Sequence, residues 1–103
     1  MDEERKLQSE VDRGRQAHEV LEHPLYQEAF SQYRERLTRE WADSPARDNE
    51  GREKLWLMLK TAEAVERHLS ELMETGKLAS TQLEQRRTLK ERAESLWDDV
   101  RPW

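Results

Sequence analysis

The stretch DSPARDNEGREKLWLML, residues 43–59, places turn-forming residues directly before the densest apolar run of the chain. Asp43 or Ser44 suits the N-cap of a helix, and Pro45 suits the first helical turn after Ser44. Residues 48–50 offer a second start, with negative charges that suit the positive end of a helix dipole. The stretch therefore predicts a hairpin, in which one helix ends near residue 42 and the next begins at about residue 46 or at the second start.

The helix that follows has a heptad pattern. Leu55, Ala62 and Leu69 recur every seven residues, and a second apolar row recurs three positions later, which is typical of a coiled-coil seam. Gly76 suits the C-terminal end of this helix, which predicts a span of about 46–75. The predicted packing or oligomer seam consists of Leu55, Met58, Leu59, Ala62, Val65, Leu69, Leu72 and Met73.

Two apolar residues near the start of this helix lie outside the seam. At about 100° per residue the seam covers an arc of roughly 140°, and Trp56 and Leu57 fall beyond it. One partner helix cannot cover the whole surface, so this segment is predicted to be the junction of several packed helices. The alternative is that Trp56 is an exposed anchor for a partner protein.

The N-terminal part of the chain predicts two helices separated by a break at His23-Pro24. The first, over residues 1–22, has a weak apolar stripe interrupted by Gly14, and its first turns are expected to fray. The second, over residues 24–42, has an unusually aromatic stripe. That stripe consists of Tyr26, Phe30, Tyr33, Leu37 and Trp41.

The C-terminal part predicts a further helix over residues 80–101, capped by Ser80 or Thr81. Trp103 follows Pro102 at the end of the sequence and is expected either to fold back onto the helices or to contact a partner. The apolar stripe of this helix is Leu83, Leu89, Ala93, Leu96 and Val100, with Trp97 beside it. Across the chain, the aromatic residues expected in packing or partner contact are Tyr26, Phe30, Tyr33, Trp41, Trp56, Trp97 and Trp103.

These elements predict an all-α fold within a single domain of 103 residues. The antiparallel hairpin of residues 24–76 is expected at the centre of a small bundle, flanked by the N-terminal and C-terminal helices. Thin apolar stripes on long helices bury little surface per residue. We therefore expect a homo-oligomer.

The sequence offers no pattern typical of an active site, a metal site or a cofactor site. The chain has no cysteine, the Glu-x-x-His spacing of di-iron bundles is absent, and its three glycines are isolated rather than grouped in a phosphate loop. The serines lie on polar faces or at cap positions. A non-enzymatic protein without cofactors is predicted.

The chain is acidic, with a net charge of −5 and a mean hydropathy of −1.20. Only residues 77–103 are slightly basic, with six bases and five acids. A patch of Arg86, Arg87, Lys90 and Arg92 is interpreted as a solvated helix face, with weak nucleic-acid contact as the alternative. The charged N-terminus and the short apolar runs favour an intracellular protein, neither secreted nor in a membrane.

Residues 23–79 resemble short helical proteins encoded in the morphogenesis gene clusters of tailed phages and prophages. The matching features are Pro24 with Ala29-Phe30, Trp41, a Ser/Asp turn at 43–48, and Arg52-Glu53-x-Leu55-Trp56. Val65, Leu69 and Gly76-Lys77-Leu78 complete the set. The resemblance implies a setting in virion assembly or DNA packaging, in the host cytoplasm or the virion, and it implies no catalytic residue.

Two functions follow as hypotheses. The first is a phage structural or assembly protein that acts as a helical oligomer in the head, portal or packaging machinery, in a role that includes that of a small terminase. Its partners would be its own copies and other phage proteins. The second is a small acidic regulatory or inhibitory protein that binds a host protein.

Overall fold

A computed structural model describes residues 2–100, and this part of the chain contains three α-helices and no strand. Helix α1 spans Asp2–Glu22, α2 spans Pro24–Asp43 and α3 spans Asn49–Asp99. The prediction of an all-α fold is confirmed. None of the three helices combines the length and the apolar composition needed to cross a bilayer.

Helix α3 is continuous over 51 residues, so the predicted helix boundary at Gly76 is wrong. Residues 80–99 of the predicted C-terminal helix of 80–101 are the second half of α3, and residue 101 lies outside the described residues. Ser80 and Thr81 lie inside α3 and are therefore not N-caps. The Thr81 hydroxyl instead donates to the carbonyl of Lys77, one turn earlier, at 3.1 Å. No proline follows Gly76 before Pro102, and a single interior glycine costs a helix only about 1 kcal/mol.

Helices α1 and α2 lie one after the other along α3, both antiparallel to it. Glu3 at the start of α1 forms an ion pair with Arg86 of α3 at 2.7 Å, whereas Trp41 at the end of α2 stacks with Arg52 at the start of α3. The fold is a long helical hairpin with two arms. One arm consists of α1 and α2, separated by a break at His23, and the other arm is the unbroken α3. Its extents are 86 × 25 × 17 Å.

The hairpin predicted over residues 24–76 corresponds to α2 packed on the first half of α3, but it is not the centre of a bundle. Helix α1, predicted to fray, packs against α3 more extensively than α2 does. The stripe of α1 explains this packing, because Leu7, Gly14 and Ala17 are all buried. The weak apolar pattern of α1 reflects small side chains at a close helix contact.

Gly14 and Gly76 form that close contact. A Cβ atom built on Gly14 would lie 2.8 Å from the Cα of Gly76 and 3.0 Å from the carbonyl oxygen of Leu72. Ala17 and Ala79, each three residues after its glycine, are almost fully buried. Small residues on both helices therefore allow the two backbones to touch, and Gly76 serves packing rather than helix termination.

Helices α2 and α3 both begin at N-caps that the sequence indicates. The His23 side chain accepts from the backbone N–H of Leu25, with Pro24 at the first helical position. Asp48 accepts from the backbone N–H of Gly51 at 3.1 Å. The second of the two predicted starts is thus confirmed, and a start at residue 46 is wrong because the turn extends through Asp48.

The aromatic stripe of α2 faces α3 as predicted, but it is only partly covered. Leu37 is buried, Tyr26 and Phe30 are half-buried with ring centroids 5.9 Å apart, and Tyr33 and Trp41 are exposed. A single helix partner covers one side of a large ring and leaves the other side in solvent. The wide aromatic stripe is therefore not enclosed within one chain.

The hydroxyl group of Tyr26 is buried and has no hydrogen-bond partner among residues 2–100. Burial raises the pKa of Tyr26, and the nearby carboxylate of Glu66 raises it further. A buried polar group without a partner destabilises a fold by about 1–3 kcal/mol. The Tyr26 hydroxyl therefore destabilises the contact between α2 and α3.

We expect the substitution Tyr26→Phe to stabilise the protein by about 1 kcal/mol in chemical denaturation, because it removes that unpaired hydroxyl. Since the folded pKa lies above the ordinary tyrosine value of about 10, the wild type loses stability as pH rises above about 10, and the variant lacks this loss. Tyr33→Phe, at an exposed ring on the same helix, is the control and should change little. An unchanged or lower stability of Tyr26→Phe at neutral pH would contradict the expectation.

Candidate interaction surface

An apolar groove lies at the turn end of the hairpin and has a volume of about 210 Å³. Helix α2 covers one side of the first turns of α3, whereas Trp56 and Leu57 are about half exposed. The predicted junction of several packed helices is therefore not closed within one chain. The groove is lined by Leu37, Thr38, Trp41, Leu55, Trp56 and Leu59.

Arg52 holds one wall of this groove in place. Its guanidinium carbon lies 4.0 Å from the centre of the Trp41 ring, in cation–π geometry. The same guanidinium donates to the hydroxyl and the carbonyl of Ser44 at 3.1 and 3.4 Å, at the C-terminal end of α2. A positive charge there also complements the negative end of the α2 dipole.

We expect Arg52→Ala to destabilise the hairpin by about 1–2 kcal/mol, because it removes the ring contact and the hydrogen bonds to the α2 terminus. Arg52→Lys keeps the charge but loses the planar fork, so about half of the loss should remain. Thermal denaturation followed by circular dichroism measures both. Equal stability of the lysine variant and the wild type would show that charge alone matters.

Most of the predicted seam is half-buried within the chain, but two of its residues are exposed. Leu69 borders Ala17 and Val20 of α1, and its heptad row continues through the buried Gly76. Met58 and Val65, which lie in the second predicted row, remain exposed. The half-buried members are Leu55, Leu59, Ala62, Leu69, Leu72 and Met73.

The last part of α3 extends past the start of α1. Because Glu3 is level with Arg86, α1 reaches no further than about residue 88, and residues 89–100 lie beyond it. We call residues 89–100 the α3 extension. Its exposed apolar side chains, each between 64 and 68% accessible, are Leu89, Leu96, Trp97 and Val100. Trp103, predicted to pack or to contact a partner, lies outside the described residues.

The predicted basic patch is partly neutralised. Arg86 pairs with Glu3 at 2.7 Å, and this contact holds the pKa of Glu3 below its ordinary value. Arg87 lies 2.7 Å from Glu84 and 3.8 Å from Glu91. Lys90 and Arg92 are the two remaining bases of the patch, and they make no ion pair with any residue of 2–100 within 4.0 Å.

The three histidines make structural contacts with other residues of the chain. His18 Nδ1 lies 3.3 Å from Met73 Sδ, His23 caps α2, and His68 lies 3.9 Å from Glu71 one turn along α3. Within residues 2–100, no group of three or more potential metal-ligating side chains comes together. The candidate interaction surfaces are the groove, the exposed seam residues Met58 and Val65, and the α3 extension.

Sequence reasoning singled out Trp41 and Trp56 for packing or partner contact but missed the role of Arg52. The signal was available, because Arg52 lies in the first turn of α3, next to the turn that follows the end of α2. Comparison of the chain with models of protein families, with curated proteins and with solved structures gave no match.

Proposed function

We propose that this chain is a non-enzymatic assembly protein that acts as a helical oligomer through its exposed apolar faces. It binds other proteins, including its own copies, along the length of a stiff helical rod. The rod is the 51-residue helix α3, stiffened on one side by α1 and α2.

The observation that carries this proposal is the distribution of apolar side chains. Among residues 2–100, only Leu7 and Leu37 are buried large apolar residues, whereas 13 large apolar side chains are exposed. Extensive exposed apolar surface on a water-facing protein marks an interaction site. An elongated hairpin that leaves this much apolar surface open gains stability when neighbours cover it.

The setting rests on the sequence resemblance. The motif features of residues 23–79 that resemble helical proteins of tailed-phage morphogenesis clusters are the reason for proposing a place in the head, portal or DNA-packaging machinery. The acidic net charge disfavours a role that needs broad contact with DNA. Protein contacts are therefore the proposed mode of action.

Size-exclusion chromatography with light scattering at tens of micromolar chain tests the proposal. We expect a mass of two or more chains, with a larger share of the oligomer at higher concentration. A clean monomer across the whole range would overturn the oligomer proposal. Because the rod is elongated, mass must come from scattering and not from elution volume.

The second candidate is a regulatory protein that binds a host protein, and the apolar groove at the turn end favours it. Trp56 on its rim is 53% exposed, and exposed tryptophans are frequent hot spots of protein interfaces. A monomer that forms a one-to-one complex with one host protein, lost in Trp56→Ala, would support this function. An oligomer whose mass is unchanged by Trp56→Ala, without a host complex, would support the first.

A further inference from the structure

We infer that the α3 extension pairs with the α3 extension of a second copy, antiparallel, to join two hairpins end to end. This inference rests on the proposed function, since it names the surface through which the oligomer forms. The partner of the extension is a second copy of this chain. In an antiparallel pair, the basic residues of one extension lie beside the acidic residues of the other.

The first argument is that the extension has an apolar stripe of its own. Along α3 the contact with α1 passes through Gly76, Ala79 and Leu83, all buried or half-buried. Six residues after Leu83, beyond the end of α1, a separate stripe begins with spacings of three and four. Its members are Leu89, Ala93, Leu96 and Val100. At about 100° per residue this stripe is rotated by roughly 90° from the side of α3 that faces α1, so it offers a helix of a second copy an apolar face that α1 does not use.

The second argument is the order of charges. In residues 87–100, three bases at 87, 90 and 92 precede three acids at 94, 98 and 99; Glu91 lies among the bases and pairs with Arg87, and Arg101 follows the acids in the sequence. Antiparallel pairing places the basic part of one copy beside the acidic part of the other. A parallel arrangement would bring bases level with bases and acids level with acids.

The third argument is the flank on which each charge lies. At about 100° per residue, Arg92 and Asp99 lie on one flank of the stripe, and Lys90 and Glu94 lie on the other. In an antiparallel pair of helices, equal flanks face each other. Arg92 of one copy therefore meets Asp99 of the other, and two-fold symmetry repeats the contact.

The acidic first turn of α1 limits the overlap. Asp2, Glu3 and Glu4 stand where α1 begins, level with the last residues before the α3 extension. A deeper overlap would push the acidic end of the second copy against these carboxylates. The pairing is therefore confined to residues 89–100, and the two α3 helices overlap by only 12 residues.

Charge-swap variants test the pairing, with the dimer dissociation constant measured by sedimentation equilibrium. Arg92→Glu alone and Asp99→Lys alone should each weaken the dimer about tenfold, because each replaces two attractive contacts by two repulsive ones. An equimolar mixture of the two variants should recover the wild-type constant, and so should the double variant. Arg67→Glu, an exposed reversal elsewhere on α3, is the matched control and should have no effect.

Small-angle scattering tests the end-to-end geometry. The monomer is 86 Å long, and a 12-residue overlap at about 1.5 Å per residue gives a dimer about 150 Å long. A particle with the mass of a dimer and a maximum dimension near 90 Å would mean that the copies lie side by side and would overturn the inference.

The outcomes separate this inference from the proposed function. An oligomer that neither charge reversal weakens would overturn the pairing of the extensions while leaving the oligomeric assembly function in place. A wild-type monomer at all concentrations would overturn both. Recovery in the mixture of variants, with the long particle, would establish the antiparallel pairing.

Discussion

Gly76→Leu is expected to destabilise the protein by about 3 kcal/mol, at the high end of the range for overpacked helix contacts. A Cβ atom on Gly76 would lie 2.8 Å from the Cα of Gly14 and 3.0 Å from the carbonyl oxygen of Glu10. Both neighbours are backbone atoms, so neither can rotate away, and α1 must move off α3. Chemical denaturation followed by circular dichroism measures the loss.

Thr75→Leu is the matched control, because it adds an apolar side chain at an exposed neighbouring position. Its stability should lie within about 0.5 kcal/mol of the wild type. If Gly76→Leu were as stable as this control, the close approach of the two helices would be wrong.

The alanine variants separate the two effects of glycine. In an isolated helix Gly→Ala gains about 1 kcal/mol, but here the added methyl group separates the backbones, so Gly14→Ala and Gly76→Ala should each destabilise by about 1 kcal/mol. The double variant should cost less than the sum of both, because the first alanine already moves the helices apart. A net gain of stability in either single variant would contradict the contact.

A glycine in a helical sequence can mark a helix terminus or a weak point, or it can allow a second helix to approach closely. The sequence analysis took Gly76 as a terminus and Gly14 as a weak point, whereas both serve close approach. A glycine after an apolar stripe suits a helix terminus, and Gly76 follows such a stripe. The contrary signal is that Gly14 and Gly76 are each followed three residues later by alanine, at positions 17 and 79. Small residues one turn apart on two helices are typical of close packing. Recognising this would also have removed the expectation that α1 frays.

Local features could be predicted because their causes are local. The break at His23-Pro24, the cap at Asp48 and the heptad row through Leu69 follow from residue type and spacing. The pairing of α1 with the second half of α3 depends on which stripe meets which, and four helices of similar pattern leave that choice open. The candidate surfaces were foreseen as residues, such as Trp56 and Trp97, but their exposure depends on where α1 and α2 end.

Leu37→Ala is expected to destabilise the protein by about 2–3 kcal/mol, because Leu37 is the buried anchor of α2 on α3, with 3% of its surface exposed. It borders Leu55 and Leu59, and the rings of the α2 stripe are too open to compensate. Leu25→Ala, at a position 64% exposed on the same helix, is the control and should cost less than about 0.5 kcal/mol.

The loss from Leu37→Ala should concentrate in α2, because the packing of α1 on α3 does not pass through Leu37. In an elongated hairpin, distant segments share few contacts, so one segment can open while another stays folded. Hydrogen exchange should therefore accelerate in Pro24–Asp43 and stay near the wild-type rate in Asp2–Glu22. Equal acceleration in α1 and α2 would show instead that the hairpin unfolds as one cooperative unit, and the apolar groove could then not open independently of the rest.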